Sequence, residues 1–209
     1  SPIQFSEGNH SRLRPGDIKY RDLNGDGVID DYDKMPVGFC DIPEITYGFG
    51  GAIEWKGFDV SIFFQGTARV SIFEEGSAVV PFSSGYKNNN GFLKGVMEDR
   101  WTVDNPNPNA RYPRTIRPSD ALDNNNTKKS SFWVRNAAYL RLKNAEIGYT
   151  FPKRWMEKMA IQNLRLYVSG VNLLTWAPDV HLFAPELGSG DGRKYPPTRV
   201  FNVGLNINF

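Results

Sequence analysis

An acidic segment near the start of the sequence combines the residue types that bind hard cations. Residues 22–33 read D-L-N-G-D-G-V-I-D-D-Y-D, and the spacing of their oxygen-bearing side chains matches an EF-hand-like calcium loop. A glycine stands at the sixth position, where such a loop turns sharply. The predicted ligands are the side chains of Asp22, Asn24, Asp26, Asp30 and Asp33 and the backbone carbonyl of Val28.

The residues around this loop argue against a complete EF-hand. Pro15 and Gly16 precede it and Pro36 follows it, so no helices can frame it. Asp33 is shorter than the usual glutamate at the last position, which predicts modest affinity and a structural Ca²⁺ that stiffens a loop. The alternative is a turn rich in Asp, Asn and Gly that binds nothing.

Catalytic chemistry has little support in the sequence. The two histidines, His10 and His181, are far apart and have no partner at the spacing of a metal site or a catalytic triad. The neighbouring carboxylates Glu74 and Glu75 would point to opposite sides of an extended chain. We therefore expect a protein that is not an enzyme.

Composition excludes several other classes. The 209 residues carry a net charge of +2, from 25 basic and 23 acidic residues, so no field of one sign favours nucleic acid as a partner. The single cysteine, Cys40, cannot form an internal disulfide. No run of 18 or more apolar residues predicts a transmembrane helix, whereas the strands of a membrane barrel remain possible because they are amphipathic.

Alternation of apolar and polar residues predicts an all-β chain of five strands. The first two, at about 44–55 and 58–68, are joined by a tight turn at Lys56-Gly57. The third covers about 138–151, and its apolar residues change parity near Asn144, which predicts a β-bulge. The fourth covers 163–176 and the fifth 197–209.

The fifth strand has the clearest pattern. Its odd-numbered residues from Phe201 to Phe209 are all apolar, and its even-numbered residues are asparagine or glycine. One face of the strand is therefore apolar and the other polar. A closing strand of this kind, ending on an aromatic residue, is typical of outer-membrane barrels, so we expect the odd residues to face lipid.

Long and short connections alternate along the chain. Long segments lie before the first strand (1–44), after the second (about 69–137) and after the fourth (about 177–196). The turn at Lys56-Gly57 and the connection after the third strand are short. In an antiparallel sheet this alternation places all long connections at one edge, as in barrels with long extracellular loops and short periplasmic turns. Aromatic residues should mark both membrane interfaces, with Trp55, Phe151, Trp155 and Phe209 at the turn edge and Trp176 and Tyr139 at the other.

Five ordered blocks of the sequence resemble the C-terminal part of SusC/RagA-type TonB-dependent outer-membrane transporters. These blocks are G-D-I-K-Y-R-D-L-N-G-D-G-V-I-D at 16–30, D-R-W-T with N-P-N-A-R-Y-P-R at 99–114, Y-L-R-L-K-N-A-E-I-G-Y-T-F-P at 139–152, N-L-R-L-Y-V-S-G-V-N-L-L-T-W at 163–176, and Y-P-P-T-R-V-F-N-V-G-L-N-I-N-F at 195–209.

The resemblance implies a large β-barrel in the outer membrane of a Gram-negative bacterium. It further implies an N-terminal plug, a SusD-like surface lipoprotein as partner, energy supplied through TonB, and glycans or peptides as cargo. Barrels of this size have about 22 strands, so five strands cannot span a membrane alone. We expect a segment of such a transporter, with residues 1–44 as an extracellular loop that carries the calcium loop and residues 45–209 as C-terminal barrel strands with long loops.

Two other functions remain open on the sequence alone. The first is a secreted, calcium-stabilised carbohydrate-binding β domain, and the second is a β-sandwich hydrolase. A soluble domain would gain nothing from ending on Phe209 with every apolar residue of its final strand on one side.

Overall fold

The structure is a computed structural model of the 209-residue chain. It describes residues 4–5, 13–76, 79, 93–115, 125–156, 161–190 and 192–209. His10 and the N-N-N-G run at 88–91 lie outside the described residues.

The chain divides into two compact units. The first contains residues 1–39, 72–135 and 187–194, and consists mainly of connections. The second contains residues 40–71, 136–186 and 195–209, and holds the main sheet. Among the described residues, no helix is both long and apolar enough to cross a membrane.

Five antiparallel strands form the sheet of the second unit. In sheet order they are β3 (Ile45–Trp55), β4 (Phe58–Ala68), β7 (Tyr139–Thr150), β8 (Asn163–Trp176) and β9 (Val200–Asn208). These bounds fall within a few residues of those predicted from the alternation. The sheet is open, because β3 and β9 are not paired with each other.

The connections between these strands follow from local chemistry. Lys56 and Gly57 both have positive φ angles, of 49° and 90°, as a two-residue hairpin turn requires. The register between β7 and its two neighbours shifts between Leu142 and Asn144. The bulge predicted from the parity change is therefore confirmed, and it keeps the apolar side chains of β7 on one face along its whole length.

Residues opposite one another in this register share a face, which separates the sheet into two chemically distinct surfaces. The apolar face carries large side chains on every strand, namely Phe49, Ile53, Trp55, Phe58, Val60, Ile62, Phe64, Leu142, Ile147, Tyr149, Leu166, Val168, Leu174, Phe201, Val203, Leu205 and Ile207. The polar face carries most of the charged and amide side chains, namely Glu54, Asp59, Gln65, Arg141, Asn144, Glu146, Arg165, Asn202 and Asn206.

The remaining elements among the described residues are short. They include two small strand pairs, β1 (Gln4–Phe5) with β2 (Val28–Ile29) and β5 (Ser71–Phe73) with β6 (Val134–Asn136). The described α-helices are α1 (Lys94–Glu98) and α2 (Lys153–Met156). Single 3-10 turns lie at Asp31–Asp33, Asn125–Thr127, Ser131–Trp133 and Pro185–Leu187. None of these short elements was predicted, because two to five residues are too few to show a periodicity.

The first unit has its own core. Tyr112 and Trp133 are 2% and 4% exposed, and their ring centroids lie 6.3 Å apart. Ile72 and Val96 are buried in the same unit. The long connections are therefore packed against one another rather than extended.

Candidate functional site

The apolar face of the sheet is exposed over its whole area. Ile53, Phe201 and Val203 are between 69% and 76% exposed, and Ile147 of the central strand β7 is 52% exposed. A soluble domain rarely leaves a continuous apolar surface of this extent uncovered. The face therefore requires an apolar environment.

Aromatic rings form two groups on this face, one near each end of the strands. The end at the Lys56-Gly57 turn is called the turn edge. Near the turn edge, Phe58 contacts Tyr149 at 4.6 Å and Phe151 contacts Trp155 at 6.0 Å between ring centroids. Near the opposite edge, Phe64 stacks on Phe49 at 5.1 Å. Phe58 and Phe64 are six positions apart on β4, about 20 Å along the strand and less along the axis of a barrel with tilted strands. An aromatic level near each end of the strands is the arrangement that membrane barrels have at their two interfaces.

Tyr139 lies at the predicted edge, opposite Thr67 of β4, but on the polar face, where the guanidinium carbon of Arg141 is 5.3 Å from its ring centroid. The bulge places Leu140 and Leu142 on the apolar face, so Tyr139 must point the other way. Trp176 does join this aromatic level, 6.4 Å from Phe64.

A charged cluster occupies the polar face near the turn edge. Arg165 donates from Nε to Asp59 at 3.0 Å and from Nη2 to Glu146 at 2.6 Å. Its guanidinium carbon also lies 4.9 Å from the ring centroid of Tyr167. Gly148 makes room for this arrangement, because a Cβ there would be 2.5 Å from Arg165 Nη2. The polar groups of this face therefore bind one another across three strands.

A buried ion cluster holds the core of the first unit. The Glu74 side chain is fully buried, and its Oε2 accepts from Arg135 Nε at 2.8 Å and from the Tyr112 hydroxyl at 3.4 Å. Arg111 Nη2 is 3.8 Å from Glu74 Oε1. Burial, and secondarily the charge of Glu74, raises the pKa of Tyr112. These contacts join the chain after β5 to β6 and to residues 111–112.

A second polar network ties the start of the chain to residues near 125. The Asn126 side chain accepts from the Ile18 amide at 2.9 Å and donates to Asp17 at 2.8 Å. Arg114 Nη2 also donates to Asp17, at 2.9 Å. A polar run such as N-N-N-T at 124–127 predicts a solvated loop tip, which is wrong for Asn125 and Asn126, since they are 7% and 2% exposed. No local signal separates a buried asparagine from an exposed one.

The aromatic residues of the loops mostly support packing. Tyr112 and Trp133 are buried, and the Trp101 ring lies against Gly16, where a Cβ would be 2.3 Å from it. Aromatic residues in such loops can stack on sugar rings or anchor the loops to one another, and the sequence favoured anchoring. Anchoring is confirmed for these three residues. Tyr195 is 84% exposed.

The acidic loop is closed by hydrogen bonds from its own backbone. Asp22 accepts from the amides of Gly25 and Gly27 at 2.6 and 2.8 Å, and Asp26 accepts from Val28 at 2.8 Å. Asp33 accepts from the amides of Leu23 and Asp30 at 2.7 and 2.9 Å. These backbone bonds lower the pKa of Asp33. Gly27 has a φ of 84°, as its predicted role in the turn requires.

The predicted ligands lie in one closed loop, but they do not form a complete metal site. Asn24 donates to Asp26 at 2.9 Å and accepts from its amide, and Asp30 accepts from Tyr32. Within the described part of the chain, no group of three or more Asp, Glu, His or Cys side chains is placed to hold a metal ion. The backbone amides offset the repulsion among the carboxylates of this loop. Calcium binding therefore stays a prediction.

Comparison with known proteins identifies the type of protein that this chain resembles. No protein-family model matches it. It is 31% identical over 208 residues to the TonB-dependent receptor P26 of Formosa agariphila, covering 93% of this chain and 20% of that protein. It is 24% identical to the TonB-dependent receptor SusC of Bacteroides thetaiotaomicron, covering 94% of this chain and 18% of that protein.

A solved structure of the RagAB peptide importer in a closed-closed state has a similar fold. Its TM-score is 0.65 at 20% identity, over 90% of this chain and 20% of the RagAB chain. The resemblance to SusC/RagA-type transporters and the predicted fold, antiparallel strands of a large barrel, are thus confirmed. The prediction that the protein is not an enzyme is also confirmed, by relatives that are named as receptors. The chain spans about a fifth of the length of these curated relatives.

Proposed function

We propose that this chain forms one side of the transmembrane barrel of a TonB-dependent importer in the outer membrane of a Gram-negative bacterium. The observation that carries this proposal is the exposed apolar face of the sheet, bounded by two aromatic levels and backed by a polar face. Such a sheet is stable when one face contacts lipid and the other lines a water-filled or plugged interior.

The unpaired edges of the sheet explain what the rest of the protein must supply. Among the described strands of this sheet, β3 and β9 each pair on one side only. Unpaired backbone groups in hydrocarbon cost several kcal/mol each. The remaining strands of the barrel would therefore pair with both edges, and a plug would occupy the interior of so wide a barrel.

The finer assignments rest on the relatives. By analogy with SusC and RagAB, we infer that the complete transporter contacts TonB, works with a SusD-like lipoprotein and imports glycans or peptides. Residues 1–44, 69–137 and 177–196 would then be extracellular. A secreted carbohydrate-binding domain is the less favoured alternative, because its apolar face would be exposed to water.

Calcium in the loop at 22–33 is a separate part of the proposal. Five side chains with suitable oxygens lie in one twelve-residue loop, and Gly27 adopts the backbone conformation that this loop requires. Small side-chain rotations would be needed to turn Asp22, Asp26 and Asp33 from backbone amides toward one ion. The ion would stiffen the loop and take no part in transport.

The experiment that tests the proposed function uses the full-length gene that contains this chain. The protein is expressed in its own host, membranes are fractionated, and growth on glycans and on peptides is compared between the wild type and a deletion strain. We expect an outer-membrane protein whose loss abolishes growth on one of these nutrients. Recovery of the protein in the culture medium would instead support the secreted domain.

A further inference from the structure

The first part of the connection between β8 and β9, residues 177–186, belongs to the same unit as the main sheet and is called the strap below. Its Glu186 pairs with Arg141 of the polar face. Arg141 and Thr175 lie opposite one another on this face, yet Arg141 is only 3% exposed. Val180 and Pro185 of the strap are also buried. The strap therefore covers the polar face at the edge opposite the turns.

Two contacts attach the strap to the sheet and to the chain before β7. Arg141 donates from Nη1 and Nη2 to the two carboxylate oxygens of Glu186, each at 2.5 Å, and from Nε to Thr175 at 2.8 Å. Near its start, the Asp179 carboxylate accepts from the Asn136 amide at 3.0 Å. A bidentate arginine–carboxylate pair fixes orientation as well as distance, which a lysine could not do.

A pocket lies between the strap and the sheet. Thr175 and Arg141 on the sheet and Val180, His181 and Phe183 in the strap line an open pocket of about 280 Å³. Val180 and Pro185 are the buried residues of the strap, and its other residues are half-buried or exposed. Its position therefore depends strongly on the Arg141–Glu186 pair.

We propose that Arg141 and Glu186 form a latch that holds the strap across the interior face of the barrel and limits the size of solute that passes there. This inference rests on the proposed function, since the polar face lines a transport path only in a barrel. Opening the latch would move the strap away from the barrel wall and widen the path. Arg141 and Glu186 are thus specificity-determining residues through their effect on the strap.

The charged cluster around Arg165 provides a matched control. It has the same residue types on the same face, but its partners Asp59 and Glu146 belong to strands and hold no connection. Loss of a partner there should perturb the sheet locally without moving the strap. Asp59→Asn is therefore the control for Glu186→Ala.

The test is made in the full-length transporter with three variants: Glu186→Ala, Asp59→Asn, and the charge-swapped double variant Arg141→Glu with Glu186→Arg. The first readout is the rate at which chymotrypsin cleaves beside the half-buried Phe183 in outer membranes. The second is entry of a bulky antibiotic that the wild-type barrel excludes. Heat-modifiable migration on gels verifies that each barrel is folded.

We expect Glu186→Ala to raise the cleavage rate about tenfold or more and to admit the antibiotic, because it removes the carboxylate partner of Arg141, whose side chain is only 4% exposed. The double variant should return both readouts to within about twofold of wild type, and Asp59→Asn should leave them unchanged. A folded Glu186→Ala barrel with wild-type cleavage and exclusion would overturn the latch. An equal increase in Asp59→Asn would also overturn it. Absence of the wild-type protein from the outer membrane would instead refute the proposed function.

Discussion

A lysine on the apolar face should destabilise the barrel far more than a lysine one residue away. Val168 in β8 lies opposite Ile147 and Val203, in a row of aliphatic residues between the two aromatic levels. Next to it, Ser169 faces the other way and lies opposite Glu146 and Asn202. Val168→Lys therefore places an ammonium group in lipid near the membrane centre, whereas Ser169→Lys places it beside a carboxylate on the polar face.

The magnitude follows from the depth of each position. A lysine facing lipid near the midplane costs about 2–4 kcal/mol, and the cost falls to about 0–1 kcal/mol near an interface. We expect the first range for Val168→Lys and a change within about 0.5 kcal/mol for Ser169→Lys. Leu205→Lys lies in the row of Leu166 and Tyr149, closer to the turn edge, and should cost about 1 kcal/mol.

The assay is urea unfolding of the full-length transporter in lipid vesicles, followed by tryptophan fluorescence. The free energy of unfolding is compared among the wild type and the variants under the same lipid conditions. Equal destabilisation by Val168→Lys and Ser169→Lys would refute the assignment of the two faces. A larger loss for Ser169→Lys would reverse it.

Three further predictions concern the first unit. Glu74→Gln should leave Arg135 without its buried carboxylate partner and cost about 3 kcal/mol in stability of the unit, measured by hydrogen exchange of residues 93–115; unchanged exchange would mean that the ion cluster is not needed. Backbone hydrogen bonds lower the pKa of Asp33 in the folded loop at 22–33. Ionised Asp33 should therefore stabilise the loop above about pH 4, the pKa of an unfolded Asp, and this stabilisation should be lost as the pH falls through the lower pKa of the folded state. Exchange of the Leu23 and Asp30 amides against pH measures this, and an Asp33→Asn variant should lack the transition. Millimolar Ca²⁺ should slow exchange in this loop, with no such effect in Asp22→Asn; equal protection in both proteins would exclude the proposed site.

The sequence predicted the sheet well because its signal is local and repeated. Alternation continues along β3, β4 and β9, and the parity change in β7 predicted the bulge near Asn144. The turn at Lys56-Gly57 was predicted from these two residues alone, and both have the positive φ angles that it requires. Successive side chains of a strand point to opposite faces, so the apolar surface of the sheet was also predictable from the sequence.

The contacts of the connections were not predictable in this way. Glu74 meets Arg135 across 61 residues and Asp17 meets Asn126 across 109 residues, and neither pair carries a periodic signal. A buried asparagine and an exposed one have the same local sequence requirements, which is why Asn126 was placed in solvent. The strap over Arg141 was missed for the same reason, since its attachment through Glu186 is 45 residues away.

The most direct test of the central claim is the accessibility of single cysteines along β9 in intact outer membranes. Cys40, which is exposed, is first replaced by serine, and cysteines are then introduced singly from Phe201 to Asn208 in the full-length protein. Each variant is treated with a water-soluble thiol reagent and with a lipid-soluble one. We expect cysteines at Phe201, Val203, Leu205 and Ile207 to react only with the lipid-soluble reagent. Cysteines at Asn202, Asn206 and Asn208 should react with the water-soluble one wherever the plug does not cover them. Reaction of the odd-numbered positions with the water-soluble reagent, at the same rate as their neighbours, would contradict a lipid-facing sheet.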